Sequence, residues 1–364
     1  MRPRRGASRP TAATAAITIV EAEAQPGYHS TGRSAAMYLE SYGPQPINAL
    51  TGASRAFFMA PPPGFAEVPL LTPRPVMLVA APGDEALLEA ELSRHPMLSA
   101  IGVAAARAMV PLLRPAALTR AAMENDAMAM DVAAIHQGYL RGFRALGGRI
   151  VTDARVRALT RRADGWRIET PAGDFAADIV VDAAGAWADR VAALAGARPR
   201  GLQPKRRTAV IVPAPAGHDV RRWPLVSDVA ETYYFRAEVG DLLVSPADQT
   251  PVEPCDAQPD EIDVAVAVDR LEHALDIAVR RVLHKWAGLR SFVGDGNPVV
   301  GWDGAVDGFF WLAGQGGYGI QSAPGMADYV AALLAGRPNP IPALDPATVA
   351  ATRTITATKG KEHP

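Results

Sequence analysis

ITIVEAEAQPGYHSTGRSAAM, residues 17–37, decides how the rest of the chain is read. Its β-branched opening, Ile17-Thr18-Ile19-Val20, predicts a buried parallel strand, and the run stops at an acid, Glu21. In dinucleotide-binding folds a carboxylate in that place accepts hydrogen bonds from both hydroxyls of an adenosine ribose; a solvated strand-end Glu is the ordinary alternative. Beyond it, His29-Ser30-Thr31-Gly32-Arg33-Ser34-Ala35-Ala36 supplies hydroxyls, a cation and small residues that let backbone lie against a phosphate-bearing ligand.

Working outward, 364 residues suffice for two domains, each with a substantial core. The 37 basic and 38 acidic residues nearly cancel, which gives no reason to expect a nucleic-acid partner or an anionic membrane surface. Cys255 is the single cysteine, so an intramolecular disulfide and a cysteine metal cluster are excluded, no metal is expected, and a reducing, cytoplasmic setting fits. No stretch approaches the roughly 20 apolar residues of a membrane span.

Periodicity then places the elements. Residues 38–58 predict a helix, closed by Pro61-Pro62-Pro63-Gly64; residues 70–79 predict a strand whose prolines favour a sheet edge; residues 84–94 predict an amphipathic helix. Asp131 is a plausible N-cap for a strong helix over 131–146, followed by a strand at 149–152 and a hairpin through Asp164-Gly165. Ile179 to Val181 predicts a buried strand running into Ala183-Ala184-Gly185, with a helix from Trp187. Strands at 209–212, 232–235 and 241–244 suit an antiparallel sheet. A strand at 309–313 leads into the glycine-rich Gly314-Gln315-Gly316-Gly317-Tyr318-Gly319-Ile320-Gln321 and a helix at 326–334, and the chain from 353 predicts a loose tail.

Three segments carry a resemblance. The run PGYHSTGRSAA (26–36), VVDAAGAWAD (180–189) and GQGGYGIQ (314–321) occur in the order in which the D-amino-acid-oxidase-like family of FAD-dependent oxidoreductases has them, and the first resembles its D-arginine-dehydrogenase-like branch. The resemblance implies an α/β fold: a Rossmann-like FAD-binding domain, here without its first strand, and a second, antiparallel-sheet substrate domain. It implies a discontinuous FAD domain at 1–50, 130–200 and 285–345, a substrate domain at 51–129 and 201–284, and a tail at 346–364. Non-covalent FAD would meet Glu21, Ala22, Ser30, Thr31, Gly32, Arg33, Ser34, Ala35 and Ala36, then Val156 near the adenine, Ala184, Gly185 and Trp187, and finally Gly316, Gly317, Tyr318, Gly319, Ile320 and Gln321.

One departure stands against it. Before Ile17 there is only MRPRRGASRPTAATAA, with a single glycine, Gly6, and no apolar run, where the family has a strand and a GxGxxG turn that brings amides to the pyrophosphate. A truncated, misplaced or frameshifted start of the reading frame is the expectation, and a non-catalytic remnant unable to bind FAD is the alternative.

For the reaction, Gly288-Leu289-Arg290 resembles the family's segment whose arginine clamps the substrate carboxylate, a task suited to a guanidinium's paired hydrogen bonds. Arg207 in Lys205-Arg206-Arg207-Thr208 and Tyr234 in Glu231-Thr232-Tyr233-Tyr234-Phe235 would assist, Tyr42 would close the pocket, and the Gly317 carbonyl would orient the amine. The implied reaction is oxidation of a D-amino acid to the imino acid by hydride transfer from Cα, followed by hydrolysis to the 2-oxo acid and ammonia. The electron acceptor, a quinone, another carrier or O2, is left open. The branch's acid after Arg-Pro is replaced by Val76, and Met37 and Leu39 stand where polar residues are expected, so a neutral, apolar substrate is predicted. Sarcosine- or glycine-oxidase-like amine oxidation is the nearest alternative; a hydroxy-acid or glycerol-phosphate dehydrogenase lacks its basic cluster.

Overall fold

The computed structural model describes residues 15–356. All but the last two residues of the N-terminal stretch on which the expectation of a truncated start rests, 1–14 of 1–16, and the end of the tail, 357–364, lie outside the described residues.

In chain order the elements are β1 (Thr18–Val20), β2 (Met37–Tyr38), α1 (Gln45–Met59), β3 (Leu71–Pro73), β4 (Val76–Ala80), α2 (Glu85–Arg94), β5 (Leu98–Ile101), α3 (Val103–Met109), β6 (Arg120–Glu124) and β7 (Met128–Met130). There follow α4 (Val132–Ala145), β8 (Arg149–Val151), β9 (Ala158–Arg162), β10 (Gly165–Thr170), β11 (Gly173–Ala177), β12 (Val180–Asp182) and α5 (Ala188–Leu194). The last third holds β13 (Gln203–Val212), β14 (Leu225–Asp228), β15 (Tyr234–Glu238), β16 (Asp241–Ser245), α6 (Glu261–Ala274), β17 (His284–Phe292), β18 (Val299–Trp302), β19 (Phe309–Ala313) and α7 (Ala323–Leu334).

The largest sheet runs β17-β13-β16-β15-β14-β4-β6-β5. Its inner face packs with α3 and α6 around Met77, Val210, Phe235, Val244 and Leu271. It is mixed, because β14 and β4 pair in parallel, Leu225 to Val76. Two small parallel units make the nucleotide-type layer. In one, β1 pairs with β8, Thr18 to Arg149; in the other, β12 pairs with β19, Val180 to Phe309, and β18 closes that sheet. No described strand joins the two units, and Ile17, Ile19 and Val181 are 56%, 41% and 40% exposed, so the strands expected to be buried at 17–20 and 179–181 are strands with an unpaired edge and are not fully buried. The first strand that the resemblance implies is absent from the described residues.

Four expectations are corrected. The helix predicted from 38 starts at Gln45, because Met37 and Tyr38 pair with Ala129 and Met128 and the chain then turns through Gly43, at φ 105°, into Pro44. The strand predicted over 70–79 is two strands in different sheets, broken at Arg74-Pro75; β3 is an edge, whereas β4 lies inside the large sheet between β14 and β6, where Pro75 precedes the strand and its carbonyl still accepts from the Leu225 amide at 2.9 Å. The substrate-side sheet is mixed and not wholly antiparallel. The tail expected from 346 is packed as far as Arg353: Val349 and Ala351 are buried, and Arg353 makes a bidentate ion pair with Asp295, at 2.8 and 2.9 Å. The predicted N-cap is borne out, with Asp131 accepting from the Ala134 amide at 2.8 Å. No helix among the described residues is long and apolar enough to cross a membrane.

Candidate active site

One cavity of about 1020 Å³ is shared by the large sheet and the nucleotide-type layer. The loop 30–36 forms one wall. Ser30 Oγ donates to the Leu289 carbonyl at 2.8 Å, and the Trp286 indole donates to the Arg33 carbonyl at 2.9 Å, so this loop is tied to β17, the strand that carries Arg290. The facing wall is the glycine-rich loop between β19 and α7.

Arg290, Arg207, Tyr42, Tyr234 and Gly317 all line this cavity. They come from β17, β13, the loop after β2, β15 and the glycine loop, elements up to 275 residues apart in sequence that only the fold brings together. Register explains the arginines: β13 and β17 are antiparallel neighbours in which Arg207 faces Gly288 and Lys205 faces Arg290, so both guanidiniums rise from adjacent strands. Arg290 Nη1 donates to the Tyr42 hydroxyl at 3.0 Å, and Arg207 Nε donates to the Asp248 carbonyl at 2.8 Å. Neither arginine has a carboxylate partner among the described residues at ion-pair distance.

The electrostatics follow. Burial lowers the Arg207 pKa, and the like charge of Arg290 lowers it further. Burial alone would raise the Tyr234 phenol, but the two guanidiniums outweigh it and leave it below its ordinary value. Two deep cations repelling each other beside polarised phenols form a site for an anion, and a carboxylate matches their forked donors. Tyr42 and Tyr318 pack edge to face at 4.9 Å over the same region. Gly317 abuts this clamp closely: a Cβ there would lie 2.8 Å from Arg290 Cζ and push the guanidinium aside.

Of the residues expected to meet a cofactor, Ser30, Thr31, Arg33, Ser34, Ala35, Ala36, Gly185, Gly316, Gly317, Gly319, Ile320 and Gln321 line the cavity. The Arg33 guanidinium pairs with Asp256 and donates to the carbonyls of Ala257 and Ala287, which ties this loop to the chain around 256 and 287. Seven others stand off the cavity wall. Glu21 accepts from the Glu23 amide at 3.0 Å, and Ala22 follows it in the same bend; Val156 packs under β9 and β10. Ala184 donates to Asp182, and Trp187 lies 4.8 Å from the His29 ring. Gly32 closes its own turn on Gly27, and Tyr318 packs on Tyr42.

The walls fit the ring end of a flavin. They are lined by small residues, Ala35, Ala36, Ala183, Gly185 and Gly316, and the amides of Gly319, Ile320 and Gln321 donate to no acceptor among the described residues. Unpaired donors beside a cavity are rare in folded chains, and three in succession just before a helix N-terminus suit a ring that gathers negative charge.

Sequence reasoning missed part of the cavity lining: His136, Tyr139 and Phe143 of α4, and Ala327, Val330, Ala331 and Leu334 of α7. Their helical spacing reads equally as core. It also missed Glu124, which the structure buries on β6 at the cavity wall.

Residues 10–333 match the family model described as FAD dependent oxidoreductase. Among solved structures, glycine oxidase from Geobacillus kaustophilus superposes with a TM-score of 0.79 at 23% identity, covering 93% of this chain and 92% of that one. Iminodiacetate oxidase from Chelativorans sp. BNC1 does so with 0.77 at 19%, covering 92% and 93%. Among curated proteins, FAD-dependent oxidoreductase domain-containing protein 1 of Bos taurus is 30% identical over 172 residues, 43% of this chain and 35% of that protein. Mitochondrial dimethylglycine dehydrogenase of Mus musculus is 28% identical over 208 residues, 52% and 24%. The matched stretch thus spans about a third or less of these relatives' length.

Proposed function

This chain belongs to the FAD-dependent oxidoreductase family, and from that premise we propose that it oxidises a D-amino acid with a neutral, apolar side chain to its imino acid. The observation that carries this reading is the convergence of Arg290, Arg207, Tyr42 and Tyr234 on one cavity beside Gly317. The domain division expected from the sequence is kept as part of the proposal, with the cavity between the two parts.

FAD, when bound, accepts the hydride released from the carbon that bears the amine. Ser30 to Ala36, Gly185 and Gly316 to Gln321 would hold it. Arg290 and Arg207 bind the substrate carboxylate by forked hydrogen bonds, Tyr42 and Tyr234 orient it, and the Gly317 carbonyl accepts from the amine. The aromatic rings of Tyr42 and Tyr318 help exclude water.

The side-chain end of the cavity supports the apolar preference. Met37, Leu39, Val76, Leu78 and Leu225 line it. Its buried acids are already engaged, Glu124 by the Ser41 hydroxyl and Asp228 by the Thr232 hydroxyl at 2.5 Å. A guanidinium placed against these apolar residues would lose hydration at a cost of several kcal/mol unless it reached Glu231, the exposed acid that also lines the cavity. Anaerobic reduction rates test this: D-Leu, D-Met and D-Phe are expected to outrun D-Arg and D-Lys, and the reverse order overturns the preference.

A second reading is oxidation of a small or N-methylated amine. The fold likeness to a glycine oxidase and an iminodiacetate oxidase favours it, as does the partial match to a dimethylglycine dehydrogenase. The same carboxylate clamp would serve. Faster reduction by glycine, sarcosine or dimethylglycine than by D-Leu selects this reading.

A further inference from the structure

We propose that Glu124 is a positioning residue: through Ser41 it holds the segment 39–43 so that the Tyr42 hydroxyl meets Arg290. The inference rests on the reading of Arg290 as a carboxylate clamp.

Glu124 ends β6 at 3% exposure, opposite Val76 on one side and Leu98 on the other. Burial pushes its carboxyl above the ordinary range, and the Ser41 hydroxyl and the amides of Glu40 and Ser41 pull it back. An ionisable group between Val76 and Leu98 is costly, and an apolar residue would fill the place without that penalty. What the acid does there is grip the next-door loop, since Ser41 Oγ donates to its Oε2.

The loop is held from the other side as well. Gln321 of the glycine-rich loop accepts from the Leu39 amide at 3.2 Å and donates to the Tyr42 carbonyl at 3.3 Å, while Asn48 donates to that same carbonyl at 3.3 Å. Gly43, at φ 105°, then turns the chain into α1. Glu40 is held as well, by the Tyr38 hydroxyl at 2.7 Å and Arg55 at 3.0 Å, so Tyr42 sits in a short segment clamped at Leu39, Glu40, Ser41 and its own carbonyl, and of these the Ser41 clamp alone comes from the substrate-side sheet. Releasing it frees the tyrosine ring to swing from Arg290 without touching the arginine.

A double-mutant cycle tests this, read by calorimetric binding of propanoate, a carboxylate that cannot be oxidised at an amine, to the FAD-loaded protein. Tyr42→Phe and Glu124→Leu are each expected to weaken propanoate about tenfold, and the double variant to bind no worse than Tyr42→Phe alone, because both remove one interaction. Ser41→Ala, which deletes a single hydroxyl, is expected to weaken it about threefold and carries the test if Glu124→Leu fails to fold. Unchanged affinity in Glu124→Leu or, where that variant does not fold, in Ser41→Ala, or losses that multiply in the double variant, overturn the proposal. Wild-type protein that binds propanoate yet oxidises no amine sinks the proposed reaction and leaves the positioning role standing on the binding data. Wild-type protein that binds no carboxylate overturns both.

Discussion

Arg290 Nη1 and the Tyr42 hydroxyl meet at 3.0 Å across 248 positions of sequence, joining β17 of the large sheet to the loop that enters α1. Neither guanidinium of the Arg290 and Arg207 pair has a carboxylate at ion-pair distance among the described residues, Asp248 acting on Arg207 only from farther off, so the pair suits an anion that arrives with the substrate.

The fork matters more than the charge. Arg290→Lys keeps a cation but loses the paired donors and the contact with Tyr42, and is expected to weaken amino-acid binding by about 1–3 kcal/mol. Stopped-flow reduction under anaerobic conditions reads this as a raised substrate dissociation constant.

Gly317→Ala tests how tightly the glycine loop abuts the clamp. The added methyl would stand 2.8 Å from Arg290 Cζ and 2.9 Å from Nε, so the guanidinium must move. The variant is expected to unfold within a few degrees of the parent while its KM rises about tenfold, since misplacement and not unfolding is the damage. An unchanged KM would show that the clamp has room to spare.

Asp182, at the end of β12, gives a pH dependence. Burial pushes its carboxyl up to about 7; the Ala184 amide holds Oδ1 at 3.1 Å, and Oδ2 has no partner among the described residues. With the folded value above the unfolded one, the native state binds the extra proton between pH ~4 and about 7, so stability falls as pH rises through that window. Asp182→Asn keeps the acceptor for Ala184 and removes the titration. Its stability relative to the parent, from urea melts, is expected to grow from pH 4 to pH 8; a constant difference contradicts the assignment.

Arg353 fastens the C-terminal segment. Its bidentate pair with Asp295 supplies two of its five hydrogen bonds, and the carbonyls of Asn297, Pro298 and Ala350 accept the other three. Both side chains are largely buried, at 10% and 15% exposure, so Arg353→Ala strands a carboxylate and is expected to cost about 3–5 kcal/mol in a urea melt.

Much of this was legible in the chain. The parallel strand after Ile17, though not its expected burial, the Asp131-capped helix and the glycine-rich run before α7 are local signals, set by β-branching, a side-chain cap and glycine content. Arg290 and Arg207 were legible only through resemblance, since no periodicity says that Lys205 pairs with Arg290 in register and brings the two strands side by side. Glu124 was illegible because its meaning lies in Ser41, 83 residues away. The partner of Arg33 was equally illegible: Asp256, which holds its guanidinium, lies 223 residues on. The break at Arg74-Pro75 was visible, but which half would become an interior strand depended on partners supplied by β14 and β6.

The most direct test is the visible spectrum of the purified chain with FAD, recorded anaerobically before and after adding neutral D-amino acids. A bound-flavin spectrum that bleaches on addition, with one 2-oxo acid formed per flavin, is the predicted result. A chain that retains no flavin, or a bound flavin that no amino acid or N-methylated amine bleaches, contradicts the account.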